Sequence, residues 1–269
     1  MRWLKPLFIV IVLIAACRID HGLQPVSSRI SGTVTFTGDF PADTDQVRVA
    51  VAEAFPPKDI KELTFSNALP RGESQAEYEI FLPPSTYEVI AVFWKEKNAP
   101  WNISDVVGVY GGTFVGDFLI PTFKPVTLPD ADASVESIDI EANLNKVNRD
   151  AAIEGTITFA GTWPENTGLV GIGAFVDIPE PGNTIDYYFK NIALDYSIPA
   201  GVTSHHYRMR VRSGELIVYV AVIWINDNYD LASIEDLGFY PDSTDPQKPG
   251  SVTVDPGETA TGIDFTIIF

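Results

Sequence analysis

The sequence predicts an all-β protein made of two tandem antiparallel β-sandwich domains, and three observations predict it. Period-two alternation of apolar and polar residues recurs between Gly, Pro, Asn and Asp breaks, while helical periodicity is scarce. Residues 30–41, ISGTVTFTGDFP, return as residues 153–164, IEGTITFAGTWP, with seven of the twelve positions identical. Further matches then follow in the same order through both halves, the signature of a duplicated unit.

Length fits this organisation. The chain has 269 residues, and each half is about 120 long, enough to bury a core without disulfide staples. The N-terminus comes first. Arg2 and Lys5 precede an apolar run over residues 7–14, then Ala15, Ala16 and Cys17. A basic start, a short apolar run and small residues at the cut describe a secretory signal. That run is too short to span a bilayer as a mature helix. The Ile14-Ala15-Ala16-Cys17 junction resembles a bacterial lipobox, which implies that residues 1–16 are removed and that Cys17 carries lipid. Cys17 is also the sole cysteine, so no disulfide competes for it. An idle thiol after an ordinary signal is the bland alternative. Residues 17–28 read as a lipid-anchored tether, residues 29–145 as the first sandwich and residues 146–269 as the second.

Within the halves the elements pair off. Val47, Val49 and Val51 alternate with Arg48, Ala50 and Ala52, a half-buried strand whose counterpart carries Val170, Ile172 and Ala174. The turns Leu69-Pro70-Arg71-Gly72 and Ile198-Pro199-Ala200-Gly201 follow, then strands bearing Tyr78, Ile80, Leu82 and Tyr207, Met209, Val211. Next come the most apolar strands, residues 87–94 and 217–224, ending in Trp94 and Trp224. Their two faces are both apolar, whereas an antiparallel sandwich strand ordinarily keeps one face wet. Either something covers the second face, the following loop or the other half, or a few apolar groups are simply exposed. Residues 95–124 and 225–248 read as long loops sharing Gly108-Val109-Tyr110 and Gly238-Phe239-Tyr240. The halves close on Ile138-Asp139 and Ile263-Asp264, with residues 145–149 as the hinge between them.

The Gly-Thr strand, the Pro83-Pro84-Ser85-Thr86-Tyr87 turn, the Tyr strand and the terminal Gly262-Ile263-Asp264-Phe265 resemble the prealbumin-like sandwich modules grouped with carboxypeptidase regulatory-like domains, an immunoglobulin-like architecture. The second half departs at Arg212-Ser213-Gly214-Glu215-Leu216. What the resemblance implies is a fold and an accessory role in exported proteins; its motifs are structural turns without catalytic residues.

Charge removes one class of function. The formal net charge is −18, and loss of Arg2 and Lys5 with the signal leaves 16 basic against 36 acidic residues, or −20. Such a surface repels phosphate backbones, so nucleic acid is not an expected partner. His21 lies in the tether, and His205 and His206 point to opposite faces of one strand. No nucleophile elbow, phosphate-cradling loop or cysteine-based metal site occurs, so no catalytic residue and no enzyme is expected. Asn226, Asn228 and Asp230 have the alternate oxygen spacing of a calcium loop, but Leu231 and Leu237 replace its Gly and Glu, and the same residues describe a plain solvated turn. No cofactor is expected beyond that calcium candidate. Trp94, Trp101, Tyr110, Trp224 and Tyr240 are the ligand candidates, as aromatic platforms or as the lining of a groove between the halves; packing the loops down is their bland role. These observations imply a lipid-anchored lipoprotein of the bacterial cell envelope, at the outer membrane or cell surface, acting as a non-catalytic binding or structural module. The alternative is a surface glycan-binding accessory lipoprotein, with protein or glycan as partner.

Overall fold

The computed structural model describes residues 27–269; the signal segment, Cys17 and nearly all of the tether lie outside the described residues. In the first half the alternating stretches become β1 (Arg29–Thr37), β2 (Thr44–Ala52), β3 (Thr64–Phe65), β4 (Gln75–Phe81), β5 (Ser85–Tyr87) and β6 (Val89–Glu96). Then come β7 (Val106–Val109), β8 (Thr113–Val115), β9 (Phe118–Ile120), β10 (Val126–Leu128), β11 (Ser134–Val135) and β12 (Ile140–Asn143). The second half forms β13 (Ala151–Ala160), β14 (Thr167–Phe175), helix α1 (Thr184–Phe189), β15 (Asn191–Ile198) and β16 (Ser204–Val211). It ends with β17 (Tyr219–Asn226), β18 (Glu235–Phe239), β19 (Thr259–Ala260) and β20 (Phe265–Ile268).

The duplication extends to strand order. In the first half β1 pairs antiparallel with β4 and parallel with β11 and β12, while β3-β2-β6-β7 form the facing sheet. In the second half β13 pairs antiparallel with β16 and parallel with β19 and β20, opposite the sheet β15-β14-β17-β18. Antiparallel pairing therefore dominates, and the parallel partner in each half is the chain-closing segment. Residues 95–124 and 225–248 are more ordered than long loops: each supplies a fourth strand, β7 or β18, to its sheet. Tyr110 and Tyr240 seal those additions, their backbone N–H groups donating to Ile90 O and Val220 O at 2.8 Å.

The repeated motifs meet at one place. A Cβ on Gly32 would stand 2.2 Å from the Ile138 carbonyl oxygen, and one on Gly155 would stand 2.1 Å from that of Ile263. Only glycine admits so close an approach of the closing segment. Asp139 and Asp264 then accept the backbone N–H groups of Thr33 and Thr156, at 2.9 and 2.6 Å.

Each half has its own core. Val47, Val49, Val51, Ile90, Val92 and Trp94 lie in the first; Val170, Ile172, Val220, Val222 and Trp224 lie in the second. A third cluster joins the halves. It takes the opposite faces of the same strands, Ala50, Ala52, Val89, Ala91 and Phe93 from one half and Tyr219, Ala221, Ile223 and Ile225 from the other. The doubly apolar strands are thus covered both by the partner half and, in the first half, by the following segment through Ile103 and Leu119. Small side chains at Ala50, Ala52 and Ala91 leave room for Phe189 of α1. Tyr187 and Tyr188 are buried there, and Phe189 lies 5.7 Å from Phe55 and 6.1 Å from Phe123. Burying a ring of this size contributes roughly 1.5–3 kcal/mol.

The segment between the halves is fastened rather than free. Leu144 and Val147 are buried in the turn Leu144–Val147, and Arg149 reaches Asp105 of the first half at 2.5 Å. Its Nε also donates to Ile192 O of β15 at 3.3 Å.

Candidate functional site

A cleft of about 600 Å³ opens where the two halves meet, within the size range of small-ligand sites. The first half supplies Asp59, Ile60, Glu96, residues 99–103 and Asp105; the second supplies Leu169, residues 193–197, residues 208–210, Tyr229 and Leu231; Arg149 comes from the segment between. Three local structures set this geometry.

The first is the short helical turn Ile103–Asp105. Asn102 caps it by accepting from Ser104 N at 3.0 Å, and its Nδ2 crosses the junction to donate to Leu194 O at 2.8 Å. Trp101, just before, is half-buried, stacked on Phe65 at 4.8 Å and set edge-on to Phe93 at 6.4 Å. Those contacts fix its ring on one wall of the cleft.

The second is β15, an edge strand of its sheet. Its carbonyls at Ile192 and Leu194 are occupied by Arg149 and Asn102. Beyond them Asp195, Tyr196 and Ser197 line the cleft. The Tyr196 hydroxyl is buried with no hydrogen-bond partner within normal geometry, beside Tyr188; burial pushes it well above the ordinary tyrosine range.

The third is residues 226–230. Asn226 Oδ1 accepts from the backbone N–H of Asn228 at 3.1 Å and of Asp230 at 3.4 Å, and Asp230 Oδ1 accepts from Ala232 N at 3.0 Å. These oxygens are spent on capping their own turn. Among the described residues no group of three or more His, Cys, Asp or Glu side chains is placed to hold a metal. The turn holds Tyr229 at a left-handed φ of 56° on the cleft rim, 51% exposed.

Of the aromatic ligand candidates, the structure brings only Trp101 to the cleft, joined there by Tyr229. Trp94 and Trp224 do not line a groove. They are 1% and 7% exposed, each inside its own core, donating from Nε1 to Thr44 Oγ1 at 2.8 Å and Thr167 Oγ1 at 3.1 Å. Strand alternation explains this, because Trp94 shares a face with Val92 and Ile90 while Phe93 and Ala91 face the other half. Tyr110 packs on the first core under Lys124 Nζ, and Tyr240 packs on the second against Phe265. Both anchor added strands. His206 lies 3.2 Å from Glu154 on the outer surface, remote in role from the cleft.

Sequence reading did not single out Arg149, Asp195, Tyr196, Arg208 or Arg210. Arg149 is held by Asp105, Arg210 by both Asp43 and Glu96, and Arg208 lies 3.6 Å from Glu154. Burial opposes the charge on Arg210, yet hydrogen bonds and attraction from Asp43 and Glu96 outweigh it and raise its pKa. Asp195 has no ion-pair or side-chain hydrogen-bond partner among the described residues.

No family profile and no curated protein matches the chain. Solved structures give weak superpositions. A leucine-rich repeat protein from Bacteroides thetaiotaomicron aligns over 89% of this chain with 8% identity and a TM-score of 0.34; the chain spans only 26% of that protein. The minor pilin GBS52 of Streptococcus agalactiae aligns over 90% of this chain and 96% of its own length, with 12% identity and a TM-score of 0.27. Superpositions this loose assign no family and no activity, and the cleft stands on its own geometry.

Proposed function

We propose that this chain is a non-catalytic binding protein of the bacterial cell envelope, held to a membrane by lipid on Cys17 and presenting the inter-half cleft to a ligand. One observation carries the binding reading: side chains from both halves and from the segment between them wall a single cleft of about 600 Å³. Its walls are fixed in advance by the shared apolar core and by Arg149 and Asn102, so little ordering cost remains to be met on binding. The lipobox-like junction supports the anchor, and the acidic surface disfavours nucleic acid.

A glycan is the second reading, supported by Trp101 and Tyr229 together at the cleft. Screening the chain against an oligosaccharide array and against envelope proteins, beside Trp101→Ala, tests the cleft. Loss of the captured ligand in Trp101→Ala is the expected result; equal capture by both proteins refutes the cleft as the site. Cys17→Ala is expected to leave the membrane fraction, and its retention there refutes the anchor.

A further inference from the structure

Charge pairing around the cleft is unequal, and the inequality points to a ligand class. Each arginine on its walls is already committed: Arg149 to Asp105, Arg208 to Glu154, and Arg210 to two carboxylates at once, Asp43 and Glu96. Asp195 is left over, half-buried, on the edge strand that lines the cleft. Trp101 and Tyr229 share that cleft with it. A carboxylate without a counter-ion attracts a cation through its charge, and aromatic faces in the same cleft add the attraction of their ring quadrupoles. The chain's net charge of −18 raises the local concentration of cations further. Apolar side chains at Ile60, Leu169 and Leu194 suit a hydrocarbon stem behind the charged group.

We propose that the cleft takes an ammonium group carried on an aliphatic stem, with Asp195 as its counter-ion and Trp101 and Tyr229 as the flanking faces. This rests on the cleft being the binding site. The same chemistry comes from a free polyamine or from a lysine side chain of a partner, and two probes separate these sources.

The test is calorimetric titration of the chain with spermidine and with N-acetyl-lysine methylamide, using the ε-acetylated lysine compound as the uncharged control. Saturable binding of either charged probe is expected, with none of the control. Asp195→Asn, isosteric and partly exposed, is expected to weaken binding on the order of tenfold, and Trp101→Ala to weaken it too. Asp195→Asn is to keep the parent melting temperature, whereas Trp101→Ala, which loses its packing on Phe65 and Phe93, is compared below its own, lowered melting temperature. Glu77→Gln with Glu136→Gln, on the acidic outer sheet, is expected to change nothing. Spermidine favoured over the lysine compound assigns a polyamine, and the reverse assigns a protein side chain. Binding indifferent to Asp195→Asn, or lowered equally by the outer-sheet variant, overturns the proposal as diffuse attraction to an acidic surface. A neutral oligosaccharide bound with dependence on Trp101 but not on Asp195 overturns the ammonium assignment and keeps the cleft. Probes bound with no dependence on either residue overturn both.

Discussion

Tyr78 donates its hydroxyl hydrogen to the carbonyl of Ile138 at 2.7 Å, and 129 positions later Tyr207 does the same to Ile263 at 3.0 Å. Both tyrosines are buried, and the carbonyls they reach are those against which Gly32 and Gly155 lie. The repeated Gly, Tyr and Ile-Asp are therefore one device that clamps the chain-closing segment to the first strand. Tyr207→Phe leaves that buried carbonyl without its partner and is expected to cost about 1–2 kcal/mol in chemical denaturation. Gly155→Ala, which forces a Cβ into backbone, is expected to cost more than Tyr207→Phe.

The halves share a core, so they are expected to unfold together. Phe189→Ala removes a ring wedged against Phe55 and Phe123 and is expected to destabilise by about 3–5 kcal/mol. Scanning calorimetry of the parent chain is expected to show one transition. In the Phe189→Ala protein that transition broadens or splits, because the link between halves weakens before either separate core.

Lys146 supplies a pH signature. Burial, then repulsion from Arg212 and Arg149, bring its pKa down to about 8, against the opposing pull of Asp105. At pH 7 the lysine is charged both folded and unfolded, and the full penalty of burying the charge is present. Between about 8 and the ordinary value of 10.5 the folded form has lost its proton while the unfolded form retains it. Unfolding then takes up a proton, so stability rises with pH across that window. Near and above pH 10 the buried Tyr78, Tyr188, Tyr207 and Tyr219, whose pKa values burial raises, reverse the trend, since the unfolded chain ionises first. Lys146→Met is expected to raise stability at pH 7 by on the order of 2–3 kcal/mol and to abolish the rise above pH 8. Melting temperatures from pH 7 to 11 check both.

Asp230 caps the turn Leu231–Ser233, and Asp230→Ala is expected to cost about 1 kcal/mol. Calcium added to the parent chain is expected to leave its melting temperature unchanged, because Asn226 Oδ1 and Asp230 Oδ1 already accept backbone N–H groups.

The repeated strands, their succession along each half and the doubly apolar character of residues 87–94 were legible because alternation and repetition are local signals, whereas β7 and β18 lay in stretches that read as loops. Which apolar face meets which partner was not legible: Trp94 and Phe93 are adjacent and equally apolar, and only the packed structure assigns one to a core and the other to the junction. The cleft was hidden for a related reason. It is assembled from residues far apart in the chain, and its edge strand β15 has only the two-residue β3 as a counterpart, so comparing the halves could not point to Asp195 or Tyr196. The alternation of residues 194–198, Leu-Asp-Tyr-Ser-Ile, was the available signal for that strand. Residues 226–230 show the converse, a spacing shared by a calcium loop and a capped turn, where Asn226 and Asp230 accept backbone N–H groups.

Hydrogen exchange of the chain with and without saturating spermidine tests the central claim most directly, that a ligand is held between the halves. Added protection is predicted in residues 99–105 and 193–197 together, one stretch from each half. Protection confined to one half, or to the acidic outer sheet around Glu77, Glu79 and Asp139, would contradict it.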